Sequence, residues 1–209
     1  MNTPRIIGLT GKAGAGKDTA ARILVGAVGP RHAVMVALAD PLKRFCMDMF
    51  GFRESQLWGS SERRSEPPPG RQAPAAREAL QTLGTEWGRR LDEDVWIRRL
   101  LDTAALLLDD PSRHGYVAAK GVVPALEPCA WELVVVPDVR FPNEASAIRQ
   151  ARGEVWEVRR HAAGLSEDAH ESEAGLPSHL VDRVLENDGD PDLLWRRVRQ
   201  AWRVACAPA

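Results

Sequence analysis

The chain has 209 residues, enough for one domain with a substantial core and a small lid or insertion. Its 28 basic and 29 acidic residues nearly cancel, so no global field draws it to nucleic acid or to a membrane surface. No apolar run approaches the roughly 20 residues of a membrane span, Met1–Pro4 is short and polar rather than leader-like, and Cys46, Cys129 and Cys206 and the five histidines lack metal-ligand spacing. These features lead to the expectation of a cytoplasmic protein with reduced thiols and no structural metal.

In chain order, Arg5–Thr10 reads as a short buried strand. Gly11-Lys12-Ala13-Gly14-Ala15-Gly16-Lys17-Asp18-Thr19 follows, and then a helical stripe of Ala20, Ile23, Leu24, Ala27 and Val28. Strand, glycine-rich turn and helix are the context of a phosphate-binding loop. The glycines let successive N–H groups point at a phosphate, the helix N-terminus adds its dipole, and Lys17 reaches the β- and γ-phosphates. Asp18 stands where a Mg²⁺-binding hydroxyl is usual, and Thr19 supplies that hydroxyl one residue later. Asp18 reads equally as an acidic first-turn residue favoured by the dipole or as a metal or substrate contact.

Ala33–Ala39 has the length and apolarity of a central parallel strand and ends at Asp40-Pro41, after which Leu42, Phe45, Cys46 and Met49 repeat at helical spacing. Residues 59–73 carry Pro, Ser and charge without an apolar period, and read as a plain exposed linker or as a lid in which Arg63, Arg64 and Arg71 close over a triphosphate. Ala76, Leu80, Leu83 and Trp87 mark one helix, and Trp96, Leu100, Ala104 and Leu107 another. Residues 110–130 read as a loop or insertion without an assigned purpose.

Trp131–Pro137 is a second buried strand, followed by a helix over about 143–151, a strand at Glu154–Val158, a last strand at Leu180–Leu185 and a terminal helix with Leu193, Leu194, Val198 and Trp202. This alternation specifies an α/β fold, in three α/β/α layers around a mainly parallel sheet. Ligands then sit beyond the carboxyl ends of the strands, at the loops 10–19, 39–44, 137–144 and 159–161.

At the third of those strand ends, Asp138 suits a Mg²⁺ site or a helix cap, and Arg140 suits phosphate contact or a surface pair with Glu144. Arg159 and Arg160 close another strand, as phosphate ligands or as a solvated basic turn. Trp195 and Trp202 on the terminal helix suit the core or a homodimer contact.

Several segments together resemble the bacteriophage-type deoxynucleoside monophosphate kinases: Gly8–Thr19, Ala39-Asp40-Pro41-Leu42-Lys43, Arg77–Arg89 with its Leu-Gly-Thr-Glu-Trp-Gly-Arg core, Asp94-Val95-Trp96, Val136–Ala145, His170-Glu171-Ser172-Glu173 and Glu186-Asn187-Asp188-Gly189. The resemblance implies transfer of the γ-phosphoryl of ATP to a deoxynucleoside monophosphate with Mg²⁺ as cofactor. It implies that Lys17 and the loop hold ATP, that Thr19 and Asp138 hold Mg²⁺, and that Arg140 and Arg160 bridge the phosphates. Asp40, Lys43, Gln81, Glu86 and Trp87 would form the acceptor site, Trp87 by stacking unless it is a core residue. Other readings of the same loop are a kinase of a different phosphorylated metabolite, such as phosphomevalonate or dephospho-coenzyme A, and a non-catalytic ATP-binding module. The partners expected on any of these readings are small-molecule nucleotides.

Overall fold

The structure is a computed structural model that describes residues 3–60, 62–70, 74–161 and 175–207. Its centre is a sheet of parallel strands: β1 (Ile6–Thr10), β2 (Ala33–Met35), β5 (Leu133–Val136), β6 (Glu154–Arg159) and β7 (Arg183–Glu186), in the spatial order β2-β5-β1-β6-β7. Pairing in register, Ile7 with Val135 and Gly8 with Val155, lines up all the carboxyl ends along one edge.

The two faces of the sheet are written by alternation. Ile6, Val134, Val136 and Val155 face one way, onto Ile97, Leu100, Ala104 and Leu107 of α5 (Val95–Asp109) and Ala145 and Ile148 of α6 (Pro142–Gln150). Ile7, Leu9, Leu133, Val135 and Trp156 face the other, onto Ala20, Ala21 and Leu24 of α1 (Lys17–Val28) and Leu194 and Val198 of α7 (Pro191–Cys206). Burying strands on both faces is what makes their sequences continuously apolar, and the result is the expected three-layer α/β/α fold.

A third, smaller core lies outside the sheet, where Leu42 and Cys46 of α2 (Asp40–Phe50), Leu57 of α3 (Glu54–Leu57) and Ala76 and Ala79 of α4 (Ala76–Gln81) pack with Phe52. Residues 62–70 are tied to this unit. The amide of Gln56 donates to the carbonyl of Pro67 at 2.8 Å and the N–H of Ala76 to the carbonyl of Glu66 at 3.3 Å; within the segment Arg63 pairs with Glu66 at 3.3 Å. Arg71 lies outside the described residues, as do His170–Glu173.

Four expectations change. The run Ala33–Ala39 is a strand only to Met35, and it lies at the sheet edge rather than at its centre. Its apolarity reflects burial of Val36 and Leu38; the amide of Val36 still donates to Val135 of β5, but those of Ala37, Leu38 and Ala39 are taken by carboxylates instead of a neighbouring strand. The segment 110–130 contains an antiparallel hairpin, β3 (His114–Val117) with β4 (Gly121–Pro124). The last strand starts at Arg183, after a tight helical turn at Ser178–Leu180.

Finally, the helix through Leu83 and Trp87 changes type after Gln81 and becomes a π-helix over Thr82–Arg89. The cause is Trp96, whose indole N–H takes the carbonyl of Gly84 at 2.9 Å. Its ring lies so close to Gly88 that a Cβ there would sit 2.5 Å from it. Diverted carbonyls and inserted side chains are what turn an α-helix into wider turns, and such turns recur at functional sites.

Candidate active site

β1 ends at Thr10 and the chain curls through Gly11, Gly14 and Gly16, all at positive φ, before α1 begins at Lys17. Gly11 is obligatory here: at φ +130° a Cβ would lie 2.2 Å from the carbonyl oxygen of Val158 on β6. The ammonium of Lys17 donates to the carbonyls of Gly11 at 2.5 Å and Lys12 at 2.8 Å, which folds it back over the loop. Asp18 and Thr19 are exposed on the first turn of α1, and Ala15 is buried as the loop's inward anchor.

Lys17 lines one cleft with Thr10, Gly11, Ala13, Val139 and Arg140, so the loop after β5 faces the loop after β1. The β5 loop is fixed from within. Glu144 is buried, and one of its oxygens accepts the backbone N–H of both Arg140 (2.8 Å) and Phe141 (3.0 Å). Burial pushes the Glu144 carboxyl up to about 7, against the lowering effect of those two N–H groups. Glu144 thus works through the backbone of Arg140; the expected alternative of a surface pair between their side chains is not the contact that forms.

Asp138, at the tip of β5, accepts the backbone N–H of Leu38 at 2.8 Å and of Ala39 at 3.1 Å, which pins the β2–α2 turn. Burial raises its pKa, and the two N–H groups and the charge of Lys43 pull in the other direction. Each oxygen keeps a second lone pair, so the carboxylate and the exposed Thr19 hydroxyl are hard oxygen donors of the kind that suits Mg²⁺.

On the far side, Asp40 and Lys43 lie in the first turn of α2. Asp40 is 2% exposed. It accepts from Trp58 Nε1 at 2.7 Å, Tyr116 Oη at 2.9 Å and the N–H of Ala37 at 3.1 Å. Lys43 Nζ is 3.8 Å from Asp40 and 5.4 Å from the centre of the Trp58 ring.

The π-helix carries Glu86 and Trp87 outward; Trp87 is 54% exposed, which excludes the core reading. Gln81 is half-buried at the end of α4. Arg89, next along, stacks on the Phe141 ring at 3.7 Å and donates to Asn143 at 3.1 Å, fastening the π-helix to the Arg140 loop. At the end of β6, Arg159 pairs with Glu157 at 2.7 Å and Glu186 at 3.5 Å, and just past it Arg160 is exposed beside Asp188.

Lys17 and Arg140 therefore meet in one cleft, whose lining residues do not include Asp138, Thr19 or Arg160. The terminal helix divides its tryptophans: Trp202 packs on the core and Trp195 is 46% exposed under Arg199. Sequence reasoning missed Trp58, Arg89, Tyr116 and Asn187. Of these, Arg89 and Asn187 lie inside segments already singled out, whereas Trp58 and Tyr116 carry no local signal.

A family model for deoxynucleotide monophosphate kinase matches residues 71–198 of the chain. A protein of Acanthamoeba polyphaga mimivirus, provisionally assigned as a deoxynucleotide monophosphate kinase, is 31% identical over 184 residues, covering 88% of each chain. Among solved structures, a provisionally assigned kinase of Chloroflexus aurantiacus gives a TM-score of 0.46 over 98% of this chain and 99% of its own, at 17% identity.

Proposed function

Because the chain belongs to the deoxynucleotide monophosphate kinase family, we propose that it transfers the γ-phosphoryl group of ATP to a deoxynucleoside 5′-monophosphate, giving ADP and the deoxynucleoside diphosphate. The observation that carries this reading is the shared cleft of Lys17 and Arg140, one cation from the phosphate-binding loop and one from the end of β5.

The acceptor is a phosphate oxygen that is already ionised at neutral pH, so the reaction needs alignment and charge neutralisation rather than a general base. The backbone N–H groups of residues 11–19 and the N-terminus of α1 cradle the donor phosphates, and Lys17 leaves the loop carbonyls to meet them. Arg140 bridges donor and acceptor phosphates as the phosphoryl moves between them, with Arg160 as a second bridging cation. Lys43 takes the acceptor phosphate, and Trp87 with Gln81 and Glu86 receives the base and sugar. Thr19 and Asp138 would hold Mg²⁺, and when bound the ion would supply charge neutralisation at the transferring phosphates. Arg63 and Arg64 act as lid cations only if residues 62–70 detach from Gln56.

The test is ADP formation from Mg-ATP with each of the four deoxynucleoside monophosphates and with none. Acceptor-dependent turnover is expected, falling at least a hundredfold in Lys17→Ala and in Arg140→Ala. ATP binding without acceptor-stimulated turnover would overturn the reading.

A further inference from the structure

The β3–β4 hairpin is left without a task by the reaction just described, yet it delivers one side chain into the acceptor half of the site. Tyr116 reaches from it to Asp40 at 2.9 Å. The hairpin is held in place for this at the start of β3 and at its turn. The indole N–H of Trp131 takes the carbonyl of His114 at 2.7 Å, and Arg44 of α2 donates to the carbonyl of Ala118 at 2.8 Å. A two-stranded ribbon is marginal alone, so these tethers decide where the Tyr116 hydroxyl sits.

Asp40 cannot readily serve a substrate itself. A carboxylate offers about four acceptor positions. Ala37 N–H, Trp58 Nε1 and Tyr116 Oη occupy three, and Lys43 Nζ stands 3.8 Å from the same Oδ1 that Trp58 uses. What remains is its action on Lys43, whose side chain is only 12% exposed between Asp40 and the face of the Trp58 indole. Lysine is a point charge on a flexible four-carbon stem, and it is aimed only if its surroundings aim it. Burial and the nearby Asp40 charge raise the pKa of the Tyr116 phenol, so it stays a constant donor at any working pH.

We propose that Tyr116 is a positioning residue for the acceptor: by fixing the Asp40 carboxylate together with Trp58, it holds Lys43 in the orientation that binds the acceptor phosphate. This rests on the assignment of Lys43 to that phosphate. The hairpin thereby becomes a wall of the acceptor site, contributing to acceptor affinity and leaving the ATP half untouched.

The experiment compares Tyr116→Phe, Trp58→Phe, Lys43→Ala and the double variant Tyr116→Phe/Lys43→Ala by steady-state kinetics and melting temperature. Tyr116→Phe and Trp58→Phe each remove one donor while keeping a ring, and each should raise the acceptor KM about tenfold, with the Mg-ATP KM within about twofold. In the Lys43→Ala background the Tyr116→Phe step should shrink to less than about twofold, because its target is gone. Equal factors with and without Lys43, or a lowered melting temperature with both KM values moved together, would make Tyr116 a purely structural residue and overturn the inference. A raised acceptor KM in Lys43→Ala beside an unchanged one in Tyr116→Phe defeats this inference alone. An unchanged acceptor KM in Lys43→Ala defeats the assignment of Lys43 and the inference with it. Trp58→Phe reports on the same carboxylate from another element should Tyr116→Phe fail to fold.

Discussion

The side-chain amide of Asn187, just past β7, donates to the carbonyl of Ala15 at 2.8 Å, across 172 positions of sequence. Its own backbone N–H is bonded to the carbonyl of Arg159 at 2.7 Å, so the end of the sheet and the glycine-rich loop are fastened through one residue. The fit leaves no slack: a Cβ on Gly16 would lie 2.4 Å from Asn187 Nδ2. Asn187 holds the Ala15 carbonyl from one side while Lys17 takes the carbonyls of Gly11 and Lys12 from within the loop.

Asn187→Ala should therefore weaken the donor half selectively. A single half-buried hydrogen bond of this kind corresponds to a roughly five- to tenfold rise in the Mg-ATP KM, with the acceptor KM within about twofold. Nucleotide-binding titrations beside steady-state kinetics check this. Equal loss of both affinities would show that Asn187 supports the whole fold.

Two glycines of the loop should behave differently when replaced by alanine. Gly11→Ala drives a Cβ to 2.2 Å from the Val158 carbonyl, backbone against backbone, at φ +130°. The cost is expected at about 2–4 kcal/mol, which lowers the melting temperature by at least about 5 °C in a domain of this size. Gly14→Ala, at φ +76° with nothing within 4 Å, meets only backbone strain of about 1 kcal/mol. Thermal unfolding of both variants should rank them in that order.

Glu144 makes stability depend on pH. Its carboxyl sits at about 7 in the folded protein against an ordinary 4.5, so folding favours the protonated form. The contribution is fully present below about pH 4.5 and is lost as pH rises through 7. Between pH 5 and 8 the unmodified protein should lose about 2 kcal/mol relative to Glu144→Gln, whose amide oxygen still accepts the N–H groups of Arg140 and Phe141. Denaturant unfolding of both proteins at the two pH values measures the difference. Parallel pH profiles would count against the buried carboxyl.

Trp87→Ala separates platform from core. With more than half its surface exposed, the residue contributes little packing, and the melting temperature should fall by no more than about 2 °C. If a nucleobase stacks on it, the acceptor KM should rise about tenfold or more. An unchanged KM would remove Trp87 from the acceptor site.

Much of this molecule is local enough to read from the chain. The loop at 11–19 declares itself because strand, glycines and helix are contiguous, and Val134–Val136 and Val155–Val158 declare themselves because strands buried on both faces must be apolar throughout. The same rule misleads at Ala33–Ala39, since a buried turn is as apolar as a buried strand, and only the partner of each amide distinguishes them. The stripe of Leu80, Leu83 and Trp87 shows a helix but not its pitch, because the widening is imposed by Trp96 from the following helix.

The sequence by itself determined the α/β/α class, the glycine-rich loop at 11–19 between strand and helix, and the strand ends that face it, because each depends on residues adjacent in the chain. Tertiary structure alone decided that Asn187 braces Ala15, that Glu144 holds the backbone of Arg140, and that Tyr116 and Trp58 converge on Asp40. Those contacts join residues from 4 to 172 positions apart, and most carry no periodic or motif signal. They arise because buried polar groups must find partners wherever the packing of the layers brings donors and acceptors together.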